Sequence, residues 1–583
     1  MKWFITVGKK ETEKSYLTDL INIIEGSNFK IYSTESLPIF YQNNKKYFFL
    51  CEGSLLPRLN SKIESNNEKI SEIFIKEYVK HGENVIKRFK GKFIILIGTE
   101  DGFHLFSDRL GIKKFLYYKT KTIKYISNDI SLIKKTTKAQ VNINNVAIYS
   151  LTNRFPGGIS MFDGIYHSSP ACCLSYINQQ ISINNYWSSE ELYFSKKVKS
   201  TYKDYGNFFL KIIKQYLDYY DPKNISITLT GGSDSRILLG SLLRYGHKPS
   251  TFTFGHPESE DVTVAKNLAK SLNLRYNNYN KAKPTPEWFE DLTKIIREKG
   301  NSLINYHRAY RLDGLLQEKE NNPLTEMTIV GHAGGEPIRG LFYDNLIVPD
   351  FVKNFSPGKK ENKEKVIREL EQRFIVTSQI DLDFVLSFID NLPYLKAEGK
   401  KREFLLIFDF LIANHLYQDL NLYDAYHDKI IIPFMDIDYL EYLFSSQFSM
   451  LYKNNTSNNQ LKRLNIPALQ SNVINIIYPP LARYQLNKGY SPSEYLNNKY
   501  LCAAKKAWRG YLKKNIPSNF SYDSWFLNYI KKRWPKEPST WLKILFDLPS
   551  AKKGFNKNEH GISEKYWVKY SSIIMLDEFS KYY

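Results

Sequence analysis

The chain has 583 residues and a formal net charge of +22. That length has room for two or more domains, and the longest apolar runs, such as Phe93–Gly98 and Ile430–Phe434, are far too short to span a bilayer. The start, Met1-Lys-Trp-Phe-Ile-Thr-Val, has no long apolar stretch and no small-residue cleavage site, so it reads as no signal peptide and a cytoplasmic location is expected. Cys51, Cys172, Cys173 and Cys502 lack metal-ligand spacing and read as reduced thiols. Lys, Asn, Ile and Tyr are abundant together, which looks like nucleotide bias, and the basic residues are spread along the chain. The densest basic group is Lys505, Lys506, Arg509, Lys513, Lys514, then Lys531, Lys532, Arg533 and Lys536. It reads as a solvated face rather than a nucleic-acid surface, with a charged peptide partner as the lesser alternative.

Residues 1–195 alternate short β-rich runs with Gly/Asn/Lys turns. Strands are expected near Lys2–Val7, Tyr47–Cys51, Lys92–Ile97, His104–Ser107, Phe115–Tyr118 and Lys124–Ser127, with one helix at Ile70–Tyr78. Two segments here, Glu77–Phe93 and Phe106–Tyr118 with its Asp108-Arg109-Leu110-Gly111, resemble the N-terminal glutaminase domain of asparagine synthetases. Met161–Ile165, Pro170 and Tyr186-Trp187 resemble that family's run into its second domain. The resemblance covers about residues 1–500, and implies an Ntn-hydrolase-like sandwich with Asp108–Gly111 in its core. The departures are chemical. The family's nucleophile is a cysteine directly after the initiator Met, whose own α-amine can serve as base; here Lys2 and Trp3 stand there. The family's glutamine-binding Asn-Gly-Glu is replaced by Glu52-Gly53-Ser54. This domain therefore reads as glutaminase-like in fold and inactive in chemistry. Cys51 reads as a packed strand residue rather than a displaced nucleophile.

Residues 200–500 change to alternating helix and strand, which predicts a doubly wound parallel sheet in an α/β chain. A helix at Tyr205–Tyr219 leads into Ile225–Leu229, a β-branched run, then Thr230-Gly231-Gly232-Ser233-Asp234-Ser235-Arg236 and a helix with apolar residues at Ile237, Leu238, Leu242 and Leu243. A strand that feeds a glycine turn opening a helix presents N–H groups to an anion, so Thr230–Arg236 are expected to hold the phosphates. Asp234 adds a carboxylate suited to magnesium. No Gly-Lys-Ser/Thr follows, so this is not a Walker loop. It resembles the PP-loop, Ser-Gly-Gly-x-Asp-Ser, of enzymes that split ATP into AMP and pyrophosphate, with Thr230 in the first position.

Further strands are expected at Ser250–Phe254, Arg275–Tyr279 and Met327–Val330, and helices at Glu260–Leu272, Glu287–Lys299 and Leu303–Glu318. Phe254 and Gly255 end one strand and resemble the turn that holds adenine in related synthetases. Glu260 reads as a first-turn carboxylate behind an N-cap, while Asp261 reads equally as cap or site residue. Gly331-His332-Ala333-Gly334-Gly335-Glu336 ends the next strand and resembles the family's Gly-x-Gly-x-Asp-Glu. The family's metal-binding Asp falls on Gly335, so magnesium has one ligand fewer or Glu336 moves in beside Asp234. His332 takes the place of a tyrosine that helps deprotonate the attacking amine in beta-lactam synthetases; a histidine suits that task, and a hydrogen-bonded loop histidine is the equal alternative. Helices are expected at Val366–Phe374 and Phe404–Leu420. Asp436 reads as a structural cap. In Asn487-Lys488-Gly489 the family's pyrophosphate-binding lysine aligns on Asn487, one residue before Lys488; Lys488 is favoured for that role, with Arg483 or Arg339 as alternatives. Residues 501–583 form a helical, basic and aromatic extension that caps the domain or holds a substrate.

The resemblance implies an ATP- and Mg²⁺-dependent ligase that adenylates a carboxylate and passes the acyl group to an amine. Relatives without the N-terminal cysteine include beta-lactam synthetases and lasso-peptide cyclases, and the long extension favours a peptide substrate, with a precursor peptide and a leader-processing protein as partners. Three alternatives stay open: an ammonia-using synthetase making asparagine or a sugar-acid amide, a non-catalytic ATP-binding scaffold, and a tRNA-modifying adenylating enzyme.

Overall fold

The computed structural model describes residues 1–8, 20–61, 63, 69–255, 257–279, 286–306, 309–340, 348–424, 429–452, 467–512, 529–557 and 564–583. His256, Lys513 and Lys514 lie outside them.

The N-terminal part is two six-stranded antiparallel sheets packed face to face. One sheet has the order Ile165–His167, Leu116–Lys119, Ile123–Ser127, Trp3–Val7, Phe29–Ser33, Ile21–Glu25. The other has the order Gln180–Asn185, Cys172–Ile177, Gly102–Ser107, Phe89–Thr99, Lys45–Pro57, Ile39–Gln42. Side chains alternate across a strand. Ile94 and Leu96 therefore enter the sandwich interior with Trp3, Phe48 and Leu105, while Phe93, Ile95 and Ile97 pack on the other face beneath Phe74 of the helix Ile70–His81. Because both faces of this strand are covered, it reads as an unbroken apolar run. Two helices, Ile130–Thr137 and Ile143–Thr152, join the expected one. Both carried N-cap signals that the sequence reading passed over: Asp129 accepts from Ser131 N–H at 2.8 Å, and Asn142 from Asn145 N–H at 2.9 Å.

Asp108 is buried and accepts N–H bonds from Leu110, Ile112 and Lys113 at 2.7–3.1 Å, and Arg109 donates to the carbonyls of Phe89 and Lys87. The segment Asp108–Gly111 thus ties the turn after one strand to its neighbours. All four cysteines are free thiols. Burial pushes Cys51, Cys172 and Cys173 up to about 12 and raises Cys502. Since the thiolate is the reactive form, Ellman's reagent at pH 8 is expected to label less than one thiol per native chain within minutes, and four after denaturation. Rapid native labelling lost in Cys51→Ser would restore Cys51 as a reactive thiol.

The second part is a five-stranded, wholly parallel sheet in the order Tyr276–Tyr279, Ser250–Phe254, Ile225–Thr228, Met327–Ile329, Ile430–Ile431. The first strand in the chain is central and the order reverses beside it, so a crevice opens at the carboxyl ends of Ile225–Thr228 and Met327–Ile329. The expected α/β architecture, an antiparallel sandwich followed by a doubly wound parallel sheet and a helical C-terminal region, is met. Two element boundaries move: the helix expected from Leu303 begins at Ala309, and the stretch Phe404–Leu420 is three helical pieces, with a π-helix at Leu406–Leu416.

The parts share a continuous core. The C-terminal helix Glu564–Tyr582 is built into it: Phe579 meets Tyr306 edge-on at 5.7 Å, and Ser302 N–H donates to the Tyr583 hydroxyl at 3.2 Å. No helix among the described residues is long and apolar enough to cross a membrane.

Candidate functional site

Thr230–Ser235 form the turn at the end of the central strand, and the helix Ser233–Arg244 opens there with Gly232 at its cap. First-turn N–H groups have no intrahelical acceptor. The turn is braced from within: Thr230 N–H donates to Ser235 Oγ at 3.1 Å, and Gly232 N–H to Thr230 Oγ1 at 3.2 Å. Asp261 accepts from Gly231 N–H at 3.2 Å and from Asn487 Nδ2 at 2.9 Å. Asp261, open between two roles in the sequence, therefore holds the glycine turn. Glu260 in the same first turn stands 3.5 Å from Arg509.

Arg236 needs a correction. Sequence position put it among the phosphate ligands, but its guanidinium is buried and donates to the carbonyls of Tyr484 and Gln485. Its side chain sits on the far side of the helix from Asp234, and it anchors the segment leading to Lys488. Asn487 N–H completes the stitch, donating to Gly231 O at 2.9 Å. Asn487, which the alignment puts in the lysine's place, is thus structural. Lys488 lies close by: its pKa is lowered by burial and by Arg339, and its ammonium acts on Asp234. Arg483 is exposed.

Asp234 has its pKa raised to about 6, first by burial and then by the Glu336 carboxylate, against the pull of Arg339 and Lys488. Gln470, from the helix Ala468–Ile477, donates to Asp234 Oδ1. Gly334 lies against the same carboxylate; a Cβ there would stand 2.5 Å from Asp234 Cγ. At Gly335, where the family has its second Asp, a Cβ would meet the Arg339 guanidinium at 2.7 Å. Arg339 also pairs with Glu336 at 3.2 Å. A cation thus occupies the space of the missing carboxylate. Two hard oxygen donors, Asp234 and Glu336, suit magnesium, and the raised Asp234 pKa marks a carboxylate that a cation would relieve.

Asp234 and Glu336 border a cleft of about 470 Å³ that is also lined by Phe254, Gly331, His332, Arg311, Asp419 and Tyr423. Phe254 and Gly331 flank it as expected from sequence. Gly255 N–H is used by the sheet, donating to Tyr279 O at 3.2 Å, so its carbonyl is what remains for a ligand. His332 Nε2 stands 3.8 Å from Asp419 Oδ2, and its ring meets Tyr423 edge-on at 5.7 Å. Asp419 also binds Arg311. Asp419, Arg311 and Gln470 were not visible in the sequence; the apolar helical pattern around Asp419 hid a buried carboxylate that has to be paired. Asp436 is a cap, accepting from Asp438 N–H at 2.9 Å, and it also pairs with Lys90 of the sandwich at 2.7 Å.

Residues 54–187 match the glutamine amidotransferase domain family. A search of curated proteins finds no match. Among solved structures, glutamine phosphoribosylpyrophosphate amidotransferase from B. subtilis, complexed with ADP and GMP, is 10% identical, with 63% of this chain and 88% of that one covered at a TM-score of 0.24. NMN synthetase from Francisella tularensis is 13% identical, covering 38% and 94% at a TM-score of 0.21. The NH3-dependent NAD synthetase from Campylobacter jejuni is 14% identical, covering 33% and 93% at 0.19. At such scores none of the three bears on function.

Proposed function

We propose that the chain is an ATP-dependent, AMP-forming carbon–nitrogen ligase of asparagine synthetase-like type. The observation that carries this reading is the convergence of Asp234, Glu336, Arg339 and Lys488 on the strand–glycine turn–helix, with His332 and Asp419 on the same cleft. A substrate carboxylate oxygen attacks the α-phosphorus of ATP, an acyl-AMP forms, and pyrophosphate leaves. The turn and the hydroxyls of Thr230, Ser233 and Ser235 hold the phosphates, and Lys488 and Arg339 offset the charge that develops on pyrophosphate. Asp234 and Glu336 would hold magnesium, which supplies further charge there. An amine then attacks the acyl carbon and AMP leaves with the C–O electron pair. His332 takes the surplus proton of the amine, oriented by Asp419.

Two observations favour a substrate amine over ammonia from glutamine. Glu52, in the place of the family's glutamine-binding run, is engaged by Lys113 at 3.1 Å and by Asn128 Nδ2 at 2.9 Å. On the helix Lys499–Leu512, whose Arg509 packs against Gly489, Tyr500, Leu501 and Trp508 are exposed. Exposed apolar side chains on the helix that packs against the Lys488 loop suit an extended substrate, and we read the acceptor as a peptide closed on its own amine. The modest cleft volume favours a second reading, in which ammonia attacks a small activated acid.

The test is AMP and pyrophosphate release with ATP, magnesium and pools of peptides, amino acids or ammonia. Release that requires one pool identifies the acceptor class. No release with any pool, together with no ATP binding by calorimetry, would leave a scaffold. His332→Asn is expected to keep substrate-dependent pyrophosphate release in the first turnover while amide product and AMP fall together by on the order of 10²–10⁴-fold. Unchanged amide formation in that variant would remove His332 from the reaction.

A further inference from the structure

A second cavity, of about 360 Å³, lies between the sandwich and the helical layer of the parallel-sheet part. His167, 4% exposed, lines it, and neither ring nitrogen has a hydrogen-bond partner. The Tyr394 hydroxyl, from the other side of the interface, also lacks one. Buried polar atoms in native proteins ordinarily have partners, so three such atoms on side chains that line one cavity mark it as a polar site short of partners. Lys114 enters the same space. Its ammonium makes a hydrogen bond to Ala413 O at 2.7 Å and stands 4.8 Å over the Tyr417 ring, and an ammonium has three protons to place. Asp409, opposite, accepts from Ser189 Oγ at 3.4 Å.

The polar groups fall into two poles. Lys114 is close enough to His167 to disfavour its protonation, and burial with that charge brings His167 down to about 3, so its ring is neutral. Asp409 acts likewise on Tyr394. Burial pushes Asp409 up to about 7 and Lys114 down to about 8, and each would be relieved by an opposite charge. Phe155, Trp187, Leu405 and Phe408 supply apolar wall. We propose that this interdomain cavity binds a free amino acid with an apolar side chain, its carboxylate on Lys114 and His167 and its ammonium on Asp409 and Tyr394. The π-helix Leu406–Leu416 forms a shared wall: Asp409 and Ala413 line this cavity, while Leu411 and Leu416 line the candidate ATP cleft. π-helical turns gather at functional sites. The site stands independently of the ligase reading, because it uses none of the cleft's polar residues.

The experiment is calorimetry and thermal melting of the full chain with L-phenylalanine and L-leucine, then the other standard amino acids. Phenethylamine and 3-phenylpropionate each lack one of the charges and serve as controls. Expected is saturable binding of a zwitterion with a raised melting temperature, at least tenfold weaker for either control. Tyr394→Phe, which removes only an oxygen, and Asp409→Asn should each weaken it at least tenfold, while Asp234→Ala leaves it unchanged. Absence of saturable binding by every amino acid at millimolar concentration would mean the cavity holds water alone and would overturn the proposal. Binding lost in Asp234→Ala but kept in Tyr394→Phe would place the ligand in the cleft and overturn it equally.

Discussion

Asp234→Asn is expected to lower substrate-dependent AMP formation by on the order of 10²–10³-fold, the scale of removing one preorganised charge-stabilising group. The carboxylate stands at the head of the helix Ser233–Arg244, with Gln470 bonded to one oxygen and Glu336, Arg339 and Lys488 acting on its charge. Without it Glu336 is the one carboxylate left beside the turn for a cation, since Gly335 brings none and its space is taken by Arg339. Its pKa of about 6 sets a pH dependence with a definite sign. The ionised form, which binds a cation, predominates above that value. Binding of ATP with magnesium should therefore rise between pH 5 and 7, and the Asn variant should show no such rise. Stability runs the other way. A carboxylate whose folded pKa is raised makes the native state lose stability as pH climbs from about 4 to 6. The variant should then match or exceed wild type at pH 7, by on the order of 1–3 kcal/mol, and the advantage should vanish near pH 4. Melting curves at both pH values check this. AMP formation by Asp234→Asn within tenfold of wild type would sink the ligase reading.

The parts of this site that were legible in the sequence are those written locally. The β-branched run, the Gly-Gly turn and the apolar spacing after Asp234 lie within one short stretch, and the strand order needed only alternating helix and strand. The loop that carries Lys488 was legible through its glycine, although the alignment put the lysine one residue earlier, on Asn487. Its proper place depends on Arg236 and Asn487, whose backbone and side-chain bonds hold the loop. Arg236 misled because a residue in a helix's first turn looks like a phosphate ligand until its rotamer is known. Gln470 lies 236 residues from Asp234, and nothing local marks it. Asp419 lies just past the apolar π-helix, in Tyr417–Asp424, where Gln418, Asn421 and Asp424 are polar too and nothing local shows which of them is buried and paired. In the sandwich, Ile165–His167 is short and Gln180–Asn185 half-exposed, so both carried too little apolar signal, whereas Cys172–Ile177 is buried at five of its six residues.

Lys90→Met is expected to destabilise the junction between the two parts by about 3–5 kcal/mol, the cost of breaking a buried ion cluster from one side. Lys90, on the strand Phe89–Thr99, stands 2.7 Å from Asp436 and 2.9 Å from Asp438, and all three side chains are at most 5% exposed. Asp438 also pairs with Arg58 at 2.8 Å, and Asp436 accepts from the Tyr216 hydroxyl at 2.8 Å while capping the helix Ile437–Ser445. Methionine fills similar volume, so the loss is of charge rather than packing. Asp438 would keep Arg58, whereas Asp436 would keep only dipoles. Burial opposes ionisation of Asp438, but Lys90 and Arg58 outweigh it and hold its pKa below the usual value. A carboxylate with a depressed pKa stabilises the fold at neutral pH and loses that contribution only as pH falls below about 4. Without Lys90, Asp438 becomes easier to protonate, so the deficit of the variant should be largest above pH 6 and shrink towards pH 4. Adding Asp436→Asn to Lys90→Met should recover part of the loss at pH 7, because the uncompensated charge is gone while the cap acceptor remains. The loss should register first as separation of the two parts, read as faster proteolysis at the connection near residues 196–201 and a lower first melting transition. A deficit under about 1 kcal/mol at pH 7 would mean that the apolar core they share, rather than this cluster, holds the junction.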